Sequence, residues 1–118
     1  MKTAFGDMAR PSETFAGESG SMVLALHEGR VVGMQGIKIM EAGTAEMVRW
    51  SIAENFRGKG LASSILRSNL IIAKQMKTHR MFSYTANPVA GQILERSGFK
   101  VSEKRGPARR YEIELPDI

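Results

Sequence analysis

Hydrophobic spacing divides the chain into a strand-rich first part and a mixed second part. Short runs rich in apolar residues over 22–27, 31–40 and 46–52, bounded by glycine turns, read as strands. Glu28-Gly29-Arg30 and Ala42-Gly43-Thr44 separate these runs as turns. From Leu61 the period changes. Leu61, Ile65, Ile72 and Met76 recur at helical intervals, which leaves Arg67, Lys74 and Lys77 for the outer face. Residues 81–86 read as a strand and 89–97 as a helix stopped by Gly98. A last strand pair spans 99–104 and 110–115 around a Gly106-Pro107 turn. Residues 1–21 mix Gly, Ser, Pro and charge without period, so an irregular arm is expected there, with one domain over 22–118. The order predicts an α/β (α+β) fold, a mixed sheet with helices packed on it.

Composition narrows the function classes. A chain of 118 residues has room for one modest core, and its 42% apolar and 25% charged shares are ordinary for a soluble domain. With no cysteine, disulfides, thiolate metal sites and a cysteine nucleophile are excluded. His27 and His79 are too few for a histidine-based centre, so no metal is expected. No apolar run approaches the roughly 20 residues that span a bilayer, and no secretory signal opens the chain. No membrane partner and a cytoplasmic location are therefore expected.

Charge adds a direction. The formal net charge is +5, and the last third carries Arg96, Lys100, Lys104, Arg105, Arg109 and Arg110. A basic hairpin over 104–110 favours an acidic or anionic partner, nucleic acid included, unless it is simply a solvated charged face. Tyr111 beside Arg109 and Arg110 is compatible with stacking on a base.

The densest chemistry lies where the third strand run meets the first helix. Arg57-Gly58-Lys59-Gly60 precedes Leu61, so two glycines and two cations stand at a helix start. The first N–H groups of a helix have no intrahelical acceptor, and the helix dipole makes that end partially positive. Glycine there permits positive φ and close approach of a phosphate. The P-loop pattern fails because Gly60 follows Lys59. The dinucleotide pattern G-x-G-x-x-G/A fails at Ser63, and no acidic residue follows at the spacing that would hold a ribose. The pattern R/Q-x-x-G-x-G/A is met in full by Arg57, Gly60 and Ala62.

That last pattern resembles the acyl-CoA pyrophosphate loop of the GCN5-related N-acetyltransferase (GNAT) superfamily. A second stretch, Asn87 to Phe99, resembles the family's N-x-x-A-x-x-x-Y-E-x-x-G-F helix, with Asn87, Ala90, Glu95, Gly98 and Phe99 on the pattern. The resemblance covers about residues 22–115 and implies a mostly antiparallel sheet whose two middle strands splay, with acetyl-CoA as co-substrate in the gap. It implies coenzyme contacts from Trp50, Ser51, Ile52, Arg57, Gly58, Lys59, Gly60, Leu61, Ala62, Asn87 and Ala90. The implied chemistry is acetyl transfer to a primary amine by direct attack, with Glu46 as the base acting through water. The family's tyrosine, which protonates the departing thiolate, is replaced by Leu94; Tyr84 or Tyr111 could substitute. The family also begins with a strand and two helices that wall the acceptor site, and residues 1–21 are too irregular to supply them. Either the acceptor site is unusually open or a second subunit completes it, and a homodimer is the expectation. The alternatives are an acyl-CoA-binding protein without catalysis and a nucleic-acid-directed member of the same fold.

Overall fold

The apolar runs become six strands, and the two helical patterns become two helices, in a computed structural model that describes residues 20–41 and 43–115. In chain order these are β1 (Gly20–His27), β2 (Arg30–Ile39), β3 (Thr44–Ile52), α1 (Leu61–Gln75), β4 (Arg80–Thr85), α2 (Pro88–Arg96), β5 (Lys100–Arg105) and β6 (Ala108–Glu114). A 3-10 turn, Glu54–Phe56, follows β3. The expected arm over 1–21 gives up Gly20 and Ser21 to β1, and residues 1–19 lie outside the described residues.

The strands form one mixed sheet in the order β1-β2-β3-β4-β6-β5. Every neighbouring pair is antiparallel except β3 with β4. That parallel pair is short: Thr44, Ala45 and Glu46 meet Arg80, Met81 and Phe82, and no pairing follows. Past this point the two middle strands part, as expected from the resemblance. α1 packs on β1, β2 and β3, while α2 packs on β4 and β6, so the helices flank the opening.

A bulge interrupts the pairing of β3 with β2. Met34 pairs with Ser51 and Gly36 with Val48, so Arg49 and Trp50 together stand opposite Gln35. Arg49 takes the left-handed conformation this requires, with φ of 57°. The extra residue shifts the alternation by one. Ala45 and Met47 reach the core before the bulge, and Trp50 and Ile52 reach it afterwards. Burying each such large side chain contributes roughly 1.5–3 kcal/mol, so the bulge is held by packing on both sides of it.

A polar pair anchors α1 over the same spot. Asn69 is fully buried in α1, and its Nδ2 donates to the Gln35 carbonyl at 3.1 Å and to Gln35 Oε1 at 2.8 Å. The helix stripe therefore runs through Ile65, Leu66, Asn69 and Ala73. Met76, expected on the inner stripe, is 42% exposed because the helix ends at Gln75. α2 is delimited by conventional signals: Asn87 caps it, Pro88 opens it, and Gly98 with φ of 102° follows its end.

Replacing Asn69 with alanine leaves a buried glutamine without its donor. The expected cost is about 1–3 kcal/mol, read as a lower urea midpoint with an unchanged slope.

Candidate active site

The strand-to-helix turn builds the first wall. Arg57 is extended, and its Nε donates to the Ile52 carbonyl at 2.9 Å, which ties the turn back to the end of β3. Gly58 and Gly60 follow with φ of 75° and 82°, values that a residue with a Cβ reaches only with strain. Gly60 is the residue that starts α1, and it offers no side-chain cap. The N–H groups of Leu61, Ala62 and Ser63 thus lack intrahelical acceptors. α2 is different. Asn87 Oδ1 accepts from Val89 N at 2.8 Å and Ala90 N at 3.2 Å, so its first turn is already satisfied.

The two helix starts enclose a cleft of about 490 Å³. Its lining from the first wall is Ile52, Phe56, Arg57, Gly58, Gly60, Ala62 and Ser63. The second wall is Asn87, Val89, Gln92, Ile93 and Arg96. Two arginines and no carboxylate line it, so the cleft suits an anion with an apolar arm.

Of the eleven contacts expected from the sequence, Ile52, Arg57, Gly58, Gly60, Ala62 and Asn87 line this cleft. Trp50 and Ala90 point into the core and Ser51 is fully buried, so Trp50 and Ser51 could reach a ligand only through their backbone. Lys59 stands with its Nζ 5.8 Å from the Phe56 ring centre, and Leu61 packs on the core. The sequence reading missed Phe56 and Ser63 on the first wall and Val89, Gln92, Ile93 and Arg96 on the second. The spacing of the second group, three, four and seven residues along α2, is the signal that marks one helix face.

Leu94, which stands at the tyrosine position of the resembled motif, is fully buried in the core on α2. Tyr111 comes up from β6 beneath this helix. A Cβ at Gly91 would collide with its hydroxyl, so glycine at that position lets the ring pass.

Glu46 and Tyr84 lie on the other face of the sheet. Glu46 is 6% exposed and sits in register between Lys38 of β2 and Phe82 of β4. Tyr84 is two residues further along β4, beyond the last contact with β3, so the two candidates share a face at the start of the parting. Arg110 holds Tyr84: its Nη1 donates to the phenol oxygen at 3.3 Å, and its guanidinium stacks 3.9 Å from the Phe82 ring centre. Its Nε also donates to Glu112 at 2.9 Å.

Most charges on this face are paired. Arg105 meets Glu103, Arg110 meets Glu112, and Arg80 meets Glu112 and Glu114. Burial disfavours the Arg110 cation, but its bonds to Tyr84 and Glu112 more than offset this and raise its pKa above the ordinary value. Glu112 moves down: the neighbouring Ser102 hydroxyl favours the anion, burial opposes, and Arg110 and Arg80 add to the lowering. A carboxylate with a depressed folded pKa stabilises the fold above its unfolded value and loses that contribution as pH falls through the folded value. The stability gap between the wild type and Glu112→Gln is therefore expected to be full at neutral pH. It should close as pH drops below the ordinary 4.5, as measured by urea unfolding across pH.

Among the described residues no helix is long and apolar enough to cross a membrane, and no cluster of His, Asp or Glu could hold a metal ion.

Comparison with known proteins agrees with this architecture. No curated protein matches the sequence. Among solved structures, the IAA acetyltransferase of Bacillus cereus is 18% identical with a TM-score of 0.73, covering 91% of this chain and 93% of its own. The PaiA N-acetyltransferase of Thermoplasma acidophilum, in complex with coenzyme A, is 22% identical with a TM-score of 0.73, covering 80% and 60%. A Bacillus subtilis acetyltransferase, also in complex with CoA, is 13% identical with a TM-score of 0.76, covering 88% and 82%. At these identities the likeness is one of fold. The model of the acetyltransferase (GNAT) family matches residues 3–99, most of the sequence, and the chain belongs to that family of acyl-CoA N-acyltransferases.

Proposed function

We propose that the protein transfers an acetyl group from acetyl-CoA to a primary amine, with both substrates bound at once. The observation that carries this is the uncapped start of α1 at Gly60, opening on a cleft with two arginines and no carboxylate. The pyrophosphate would lie on the N–H groups of Leu61, Ala62 and Ser63, with Arg57, Gly58 and Gly60 around it. The pantetheine arm would run past Ile52, Ala62, Asn87 and Ile93 into the parting of β3 and β4. The solved relatives from T. acidophilum and B. subtilis hold CoA, which supports the same ligand here.

An amine of ordinary pKa near 10.4 is a cation at neutral pH, and removing its proton costs about 4 to 5 kcal/mol. In this reading Glu46 takes that proton through water. The amine nitrogen then attacks the thioester carbonyl, and backbone N–H groups of β3 around Trp50, Ser51 and Ile52 stabilise the oxyanion. The new C–N bond forms, the C–S bond breaks, and the CoA thiolate leaves and is protonated. Leu94 cannot give that proton; Tyr84, held by Arg110 on the face of Glu46, is the proposed donor. Its absence would slow the reaction by about 10²–10⁴-fold at most, because a thiolate departs readily and water can protonate it. As part of the same proposal the enzyme works as a cytoplasmic homodimer, the second copy lying on the face that carries Glu46.

The test is release of free CoA from acetyl-CoA in the presence of an amine panel. Glu46→Gln is expected to lower turnover by about 10²–10⁴-fold with acetyl-CoA binding unchanged. Binding without turnover on every amine would favour a coenzyme-binding protein instead. The nucleic-acid alternative gains least support, since salt bridges neutralise Arg80, Arg105 and Arg110.

A further inference from the structure

The two arginines of the large cleft, Arg57 and Arg96, stand in different states. Arg57 already donates its Nε to the Ile52 carbonyl at 2.9 Å and belongs to the turn itself. Arg96 is exposed, and among the described residues it makes no hydrogen bond or ion pair. Arg80, Arg105 and Arg110, by contrast, each meet a carboxylate. No acidic residue lines the cleft to neutralise Arg96.

A cation in the last turn of a helix ordinarily serves the helix end. At the end of α2 the carbonyls are served without it. Ser97 N donates to the Ile93 and Leu94 carbonyls, Gly98 N to Glu95 and Phe99 N to Leu94, all within 3.1 Å. The Ser97 hydroxyl adds a second bond to Ile93 at 2.9 Å. None of these carbonyls depends on Arg96, and its side chain lines the cleft instead.

The cleft residues of α2 form two ridges of residues four apart: Val89 with Ile93 is apolar, and Gln92 with Arg96 is polar. The apolar ridge suits the pantetheine arm. Arg96 is the lining residue farthest along α2 from Asn87, roughly 10 Å beyond Val89 at about 1.5 Å per residue. In the proposed pose the thioester end enters the parting of β3 and β4 past Asn87, and the pyrophosphate lies on the open start of α1. Coenzyme A is one linear chain, so its adenosine lies beyond the pyrophosphate, away from the parting. That adenosine carries a phosphate on its 3′ oxygen. A phosphate monoester has a second pKa of about 6 and bears close to two charges at neutral pH. A guanidinium fork pairs with two of its oxygens at once.

We infer that Arg96 holds the 3′-phosphate of the coenzyme, so that the protein selects coenzyme A over its 3′-dephospho form. This rests on the acyl-CoA reading of the cleft and goes beyond it by assigning a residue to the third phosphate.

The experiment titrates the full chain with CoA and separately with 3′-dephospho-CoA by isothermal calorimetry. CoA is expected to bind about tenfold more tightly, a preference that shrinks as salt is raised. Arg96→Gln should bring CoA down to the affinity of the dephospho form, leave that form's affinity unchanged and leave the melting temperature of the free protein within about a degree. Arg96→Lys should restore part of the preference. In the CoA-release assay Arg96→Gln should raise KM for acetyl-CoA by a similar factor with little change in kcat. Equal binding of the two forms by the wild type would overturn the inference, as would an Arg96→Gln variant that weakens both alike. Selective CoA binding with no acetyl transfer to any amine would support Arg96 and remove the transferase proposal. Failure of both forms to bind would remove the acyl-CoA reading and this inference with it.

Discussion

Everything at the proposed site depends on β3 leaving β4 after three paired residues. A gap between the two middle strands of a sheet exposes backbone groups that would otherwise be paired, and such groups are costly when nothing meets them. The fold confines that cost to one place. The bulge in β3 lies opposite Gln35 of β2, and Asn69 ties Gln35 to α1. Trp50 and Ile52 then bury on the far side of the bulge, so the strand cannot drift back without losing them. The same packing carries Ile52 to the edge of the cleft and aims the turn after it at the start of α1.

The two helix starts make opposite use of one physical fact. Each leaves N–H groups unsatisfied, and the sequence settles one internally with Asn87 and leaves the other open at Gly60. This asymmetry separates an end built for stability from an end available to an anion.

The six strands and two helices were legible because short apolar runs, turn glycines and the signals around α2 are local, and the ends fell within a few residues of those expected. The loop at Arg57 to Gly60 was legible for a similar reason: positive φ at two positions admits few residue types other than glycine. What the sequence hid is long-range. The bulge appears along β3 only as a break in alternation, between Met47 and Trp50, and its partner Asn69 lies polar in the middle of an apolar stripe. Both make sense only once α1 is laid on β2. Met76 was misplaced because helical spacing continues past Gln75 although the helix does not. Leu94 was noticed as a departure, but its burial in the core could not be read from the chain alone. The cleft face of α2 could have been read, since Val89, Gln92, Ile93 and Arg96 already have the spacing of one helix side.

The most direct test of the account is hydrogen exchange of the full chain with and without acetyl-CoA, because it asks whether the parted strands and the open helix end are where the coenzyme sits. The account predicts protection concentrated at the end of β3, through the turn to Ser63, and along the start of α2. Saturable binding that leaves these amides unchanged and protects others would contradict it, as would no binding at all.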